Sequence, residues 1–104
     1  MSRPLILVTN DDGYSSKGIE ILNNVASNFG DTIIVAPNSE KSGKAHGITL
    51  YDPIGLKKID NQNQLIYSVD GTPVDCVKIA INSLLDKKPK LILSGINHGL
   101  NVGR

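Results

Sequence analysis

Two apolar periods follow one another along this chain. Leu5 to Thr9 is a continuous apolar run without alternation, the pattern of a strand buried on both faces. From Lys17 onward the period lengthens. Leu22, Val25, Ala26 and Phe29 fall at i, i+3, i+4 and i+7, which predicts one buried helix face, and Gly30 supplies a stop. Thr32 to Ala36 is a second apolar run, rich in β-branched residues and closed by Pro37. Strand, helix and strand within about 35 residues form a βαβ unit, whose crossover builds a parallel sheet.

The pattern then changes. A polar loop covers Asn38 to Gly47, and residues 48 to 69 read as short strands joined by turns: Ile48 to Leu50, Gly55 to Ile59 and Leu65 to Val69. Thr72-Pro73-Val74-Asp75 opens a second helix, with Thr as cap, Pro at the first helical position and an acid at the third. Val77, Ile81, Leu84 and Leu85 supply its apolar stripe, and Lys87, Lys88 and Lys90 suit the negative end of its dipole. Leu91-Ile92-Leu93 is a further buried-strand pattern, followed by a tail with glycines at 95, 99 and 103. The expected fold is α/β and Rossmann-like: a mostly parallel sheet with flanking helices. A strand running into an unfinished glycine-rich loop is not how such a sheet closes, so residues 1–104 read as part of a longer chain.

Composition narrows the function classes. Eleven Lys and Arg against ten Asp and Glu leave a net charge of +1, which gives no general attraction to nucleic-acid polymers or anionic membranes. Phe29 is the only Phe and Trp is absent, so a base-stacking platform is not expected. The single cysteine, Cys76, can make no internal disulfide, and the apolar run after Met1-Ser2-Arg3-Pro4 is too short for a signal peptide or a membrane span. A cytoplasmic location is the expectation. Cys76 lies among apolar helical residues and reads as a packed, inert thiol.

Ligands of open α/β sheets bind outside the carboxyl ends of the strands. Three polar, glycine-containing segments leave such ends: Asn10-Asp11-Asp12-Gly13, the Asn38 to Gly47 loop, and Ser94 to Asn101. Adjacent carboxylates repel, so Asp11 and Asp12 are easier to keep ionised beside a cation, and hard cations such as Mg²⁺ take oxygen ligands. A solvated Asp-Gly turn is the alternative reading. The second loop offers hydroxyls, cations and backbone N–H groups beside Gly43 that suit a phosphate. It lacks the spacing of a Walker A loop, and no G-x-G-x-x-G follows the first strand. Asn97 offers a neutral oxygen. His46 and His98 read more readily as exposed side chains than as catalysts.

Taken in order, LVTNDDG at 7–13, SKGI at 16–19, VAP at 35–37, SGKAHGIT at 42–49, GTPVDCVK at 71–78 and LILSGINHGLNVG at 91–103 resemble the SurE-type 5′/3′-nucleotidases, the nucleoside monophosphate phosphohydrolases. The resemblance implies a metal-dependent phosphatase on a Rossmann-like domain. Carried over by motif, Asp11, Asp12, Ser42 and Asn97 would hold one divalent cation per subunit, Mg²⁺ or Mn²⁺. Asp11 would orient or deprotonate the attacking water, and backbone donors near Asn10 and Gly43 would bind the substrate phosphate. The implied substrate is a nucleoside 5′- or 3′-monophosphate. Family members continue well beyond Arg104, with elements used in dimer or tetramer assembly, so residues 1–104 are expected to be the N-terminal portion of a single domain. A metal- or anion-binding piece without turnover is the alternative. An aspartyl-phosphate mechanism is disfavoured, since it uses two acids spaced two positions apart and these are adjacent.

Overall fold

A computed structural model describes residues 3–38, 55–59 and 64–96. Its centre is a five-stranded sheet in the order β3-β4-β2-β1-β5, built from β1 (Leu5–Thr9), β2 (Asp31–Pro37), β3 (Lys57–Ile59), β4 (Leu65–Val69) and β5 (Leu91–Ser94). β1, β2, β4 and β5 run parallel, and the short β3 is antiparallel to β4. The expected mostly parallel α/β sheet is therefore present. The predicted strand at Ile48–Leu50 lies outside the described residues.

Side chains alternate across the central strands, so each strand feeds two cores. On one face Ile6, Val8, Ile34, Ala36 and Ile66 pack against Ile19 and Ala26 of α1 (Lys17–Ala26). On the other, Leu7, Ile33, Val35 and Val69 pack against Cys76 of α2 (Pro73–Ile79) and the following Ala80. Helices on both faces explain why β1 and β2 read as unbroken apolar runs.

The α1 face differs from the one its spacing suggested. Ile19, Asn23 and Ala26 are buried, whereas Val25 is 53% and Phe29 69% exposed. The helix ends at Ala26, three residues earlier than the periodicity implied, and the Phe29 amide closes a turn onto the Ala26 carbonyl at 2.8 Å. Phe29 therefore never joins the helical stripe. Gly30 must be glycine for a different reason from helix termination alone: a Cβ there would collide with the Pro4 carbonyl.

α2 follows the predicted cap closely. The Asp75 amide donates to Thr72 Oγ1 at 3.2 Å, the Thr72 amide donates to Asp75 Oδ2 at 2.9 Å, and Pro73 takes the first helical position. After Ile79 the backbone widens into a π-helical turn, Ala80–Leu84, with the Leu85 amide reaching the Ala80 carbonyl at 2.9 Å. Leu84 and Leu85 pack against the second core, as does Val77, while Ile81 is only half-buried.

β5 corrects a second expectation. Its sequence predicts a strand buried on both faces, yet Leu91 is 48% and Ile92 43% exposed. The reason is position: among the described residues β5 is an edge strand, hydrogen-bonded only to β1.

Candidate active site

The strand order decides where a ligand can sit. From β1 the chain moves outward to β2 and on to β4, then returns to β5 on the opposite side of β1. The carboxyl ends of β1 and β5 thus flank the point where the direction of winding reverses, which is the binding crevice of open α/β sheets. Thr9, the last residue of β1, pairs with Ser94, the last of β5. The Asn10–Gly13 turn leaves the first, and the segment leading to Asn97 leaves the second.

The Asn10 side chain holds the turn together. It is fully buried. Its Oδ1 accepts the Gly13 amide at 3.1 Å, and its Nδ2 donates to the Gly13 carbonyl at 3.0 Å and to Ser16 Oγ at 2.9 Å. Ser16 is in turn the N-cap of α1, its hydroxyl accepting the Ile19 amide at 3.3 Å. Gly13 is buried and adopts φ 114°, a region that favours glycine. The Tyr14 amide then donates to the Pro37 carbonyl at 2.9 Å, which ties the turn to the end of β2.

Between these anchors Asp11 is exposed and Asp12 half-buried. The turn abuts the N-cap of α1, whose positive dipole end favours negative charge. The exit of β5 is pinned to the same place: the Gly95 amide donates to the Thr9 carbonyl at 3.0 Å, and Gly18 in the first turn of α1 lies so near the Ile96 carbonyl that a Cβ could not be accommodated.

Below the turn, Thr9 and Cys76 meet in the core. Burial pushes the Cys76 thiol from an ordinary 9.0 up to about 12; the adjacent Thr9 hydroxyl opposes the rise, and the Asp75 charge adds to it to a smaller extent. Cys76 is a protonated packing group, as its surroundings in the sequence suggested.

Among the expected site residues, the structure places Asn10, Asp11 and Asp12 together at the switch point. Ser42, Gly43 and Asn97 lie outside the described residues. Asn10 has its side-chain amide spent on the turn, so only its backbone is left to meet a substrate. Among the described residues no group of three or more His, Cys, Asp and Glu side chains gathers as a metal cluster. The two adjacent carboxylates are hard oxygen donors, which fits a site that takes one or two acids and completes its shell with neutral oxygens. Sequence reasoning missed two supports of this site, Ser16 and Gly18. A serine just before a helix is a readable cap signal, and a glycine in a first helical turn marks a close approach.

A family model described as survival protein SurE matches residues 6–104. The chain belongs to the SurE family. It is 50% identical over 103 residues to the 5′-nucleotidase SurE of Flavobacterium psychrophilum, covering 97% of this chain and 40% of that protein. It is equally 50% identical over 105 residues to the 5′-nucleotidase SurE of Protochlamydia amoebophila, covering 99% of this chain and 40% of the relative. The crystal structure of the SurE protein from Aquifex aeolicus superimposes with a TM-score of 0.76 at 42% identity, over 96% of this chain and 40% of that one. The present SurE chain thus spans about 40% of the length of the relatives it matches. No helix among the described residues is long and apolar enough to cross a membrane.

Proposed function

We propose that this chain carries the cation-binding half of a nucleotidase site, acting on nucleoside 5′- or 3′-monophosphates. The observation that carries the reading is the placement of Asp11 and Asp12 at the switch point, on a turn locked by the Asn10 side chain. The printed name of the relatives, 5′-nucleotidase, supports the substrate class.

In this reading Asp11 and Asp12 hold one Mg²⁺ or Mn²⁺, with Ser42 and Asn97 completing the protein ligands. Such a cation, when bound, supplies Lewis-acid polarisation of the phosphoryl group and a lowered pKa for water. Asp11, the more exposed acid, orients the attacking water and receives its proton. Backbone N–H groups near Asn10 and Gly43 hold the phosphoryl oxygens, where donors fixed in advance act most strongly on the transition state. Water adds to phosphorus as the P–O ester bond breaks, the departing ester oxygen takes up the proton that Asp11 received, and the products are a nucleoside and inorganic phosphate. A homodimer or homotetramer is the expected assembly at the full length of the family.

The test is phosphate release from nucleoside monophosphates by a full-length protein carrying this chain, with Mg²⁺ or Mn²⁺. Asp11→Asn and Asp12→Asn should each lower kcat/KM by at least roughly 10³-fold, the scale of removing one charged group from such a centre. Activity indifferent to chelator and to both substitutions would sink the assignment. A second reading rests on the 40% coverage of the relatives: residues 1–104 alone bind the cation or an anion without turnover. Metal binding by this chain, without phosphate release, is its expected signature.

A further inference from the structure

The three lysines that follow α2 are not accounted for by the helix before them. A helix dipole acts within its last turn, and here the helical backbone ends at Leu84, with Leu85 already extended. Lys87, Lys88 and Lys90 are exposed and lie beyond it, on the connection to β5. None of them makes an ion pair with a described residue.

They gather instead around a recess at the amino ends of β1 and β5. The recess has a volume of about 440 Å³ and is lined by Arg3, Pro4, Leu5, Lys87, Lys88 and Lys90. Four cations and no acid therefore face it. Asp31 pairs with Arg3 Nε at 3.3 Å and Asp86 precedes Lys87 in the chain, yet neither lines the recess.

Its walls are held by backbone groups. Arg3 Nη2 donates to the Ser27 carbonyl at 2.6 Å and to the Gly30 carbonyl at 2.9 Å. With Nε turned to Asp31, the N–H groups of Nη1 are the ones without a described partner. On the other side the Lys90 amide donates to the Leu5 carbonyl at 2.8 Å, and Pro89 is half-buried. Pro4 is fixed as well, its carbonyl accepting the Asp31 amide at 2.8 Å. Charges carried on backbone already in place lower the ordering cost that a ligand must meet.

We propose that this recess binds the phosphate chain of an oligophosphate anion, either inorganic triphosphate or the triphosphate of a nucleotide. Like charges around one recess repel, and a multiply charged anion relieves that repulsion from several sides at once. Lysine ammonium groups are point charges with three donors each, which suits phosphate oxygens. The volume is that of a small-molecule site, which begins at about 300 Å³, rather than of a single ion. The recess also stands apart from the carboxylate turn. The five residues of β1 separate the two by about 16 Å, so the proposal does not depend on the reading of Asp11 and Asp12.

Two measurements on a full-length protein carrying this chain test it. In the first, inorganic triphosphate is titrated while backbone amide NMR signals are followed. Shifts centred on Leu5, Lys87, Lys88 and Lys90 are expected; shifts confined to other residues, or none, overturn the proposal. Sulfate at the same concentration should shift these amides far less, and an equal response would reveal a surface that attracts any anion and overturn it too. In the second, calorimetry compares triphosphate affinity between the native protein and the double variant Lys88→Glu with Lys90→Glu. A loss of at least roughly tenfold is expected, because two attractions become repulsions; unchanged affinity overturns the proposal. Both positions are exposed, and Lys88→Arg with Lys90→Arg keeps the charge, so that pair should retain binding. An equal loss in the arginine pair would show that charge is not what is read. ATP then identifies the source: tighter binding than triphosphate assigns a nucleotide, and equal or weaker binding assigns the inorganic chain. Adenosine, which has no phosphate, should not shift the same amides, and if it does the phosphate assignment fails.

Discussion

β1 and β5 carry nearly the same words in different places. Leu5-Ile6-Leu7-Val8 and Leu91-Ile92-Leu93-Ser94 share three residues in order, and the two strands are hydrogen-bonded neighbours with Leu7 opposite Ile92. Leu7 is fully buried and Ile92 is 43% exposed. Intrinsic strand preference cannot separate them, because both are apolar and both form strands. What separates them is neighbourhood. β1 has a strand on each side and a helix on each face, whereas among the described residues β5 has β1 on one side only. An apolar strand at an open edge is a pairing and packing surface, and this chain spans about 40% of the length of the relatives it matches.

The sharpest way to break this comparison is to truncate the paired residues. Leu7→Ala should destabilise by about 3 kcal/mol or more in urea unfolding, since it removes a filled core position with no room to collapse. Ile92→Ala should cost less than about 1 kcal/mol in this chain, because much of its surface is already in water. If the two cost the same, the burial contrast is not what distinguishes the strands. In a full-length protein the Ile92→Ala cost should rise toward that of Leu7→Ala.

A smaller effect is expected at the turn that leaves β1. Asn10→Ala removes three buried or part-buried hydrogen bonds and leaves the Gly13 amide unpaired. The expected loss is about 2 kcal/mol, and under the proposed reading of Asp11 and Asp12 as cation ligands their affinity should fall roughly tenfold because their support is gone. Calorimetric metal titration reads the second. Retained affinity would show that the carboxylates need no such scaffold.

On the α2 side, Thr72→Ala should cost about 1 kcal/mol through loss of the cap, measured by thermal unfolding. At neutral pH the least effect belongs to Cys76. Its thiol stays protonated in both the folded and unfolded chain at pH 7, so no pH dependence arises there. Its folded value of about 12 lies above the ordinary 9.0. Above pH 9 the unfolded chain releases this proton while the folded chain keeps it, so stability falls as pH rises from about 9 toward 12. Cys76→Ala should remove that contribution, and native Cys76 should react with iodoacetamide far more slowly at pH 8 than in urea.

Much of this was legible in the residues. Unbroken apolar runs marked the central strands and a helical period marked the helices, and the Thr72-Pro73-Val74-Asp75 cap was legible residue by residue because capping is local: donor and acceptor are three residues apart. The paired acids were legible for the same reason, as a short polar stretch after an apolar run. The Asn-Asp-Asp-Gly run also read as a turn, whereas the bracing of that turn by the Asn10 side chain is seen only in the structure.

What the tertiary structure decided is everything that depends on which segments meet. That α1 buries Asn23 rather than Val25 follows from the way the helix lies on the sheet and from Gln64, 41 positions away, waiting for its amide. That Gly18 cannot carry a side chain follows from Ile96 arriving beside it. That Asp11 and Asp12 stand at the switch point of the sheet follows from β5 returning to the far side of β1. Propensity and capping act over a few residues and are written in sequence order. Burial, crevices and grooves are properties of packed neighbours, and the order of strands in a sheet is not the order of strands in the chain.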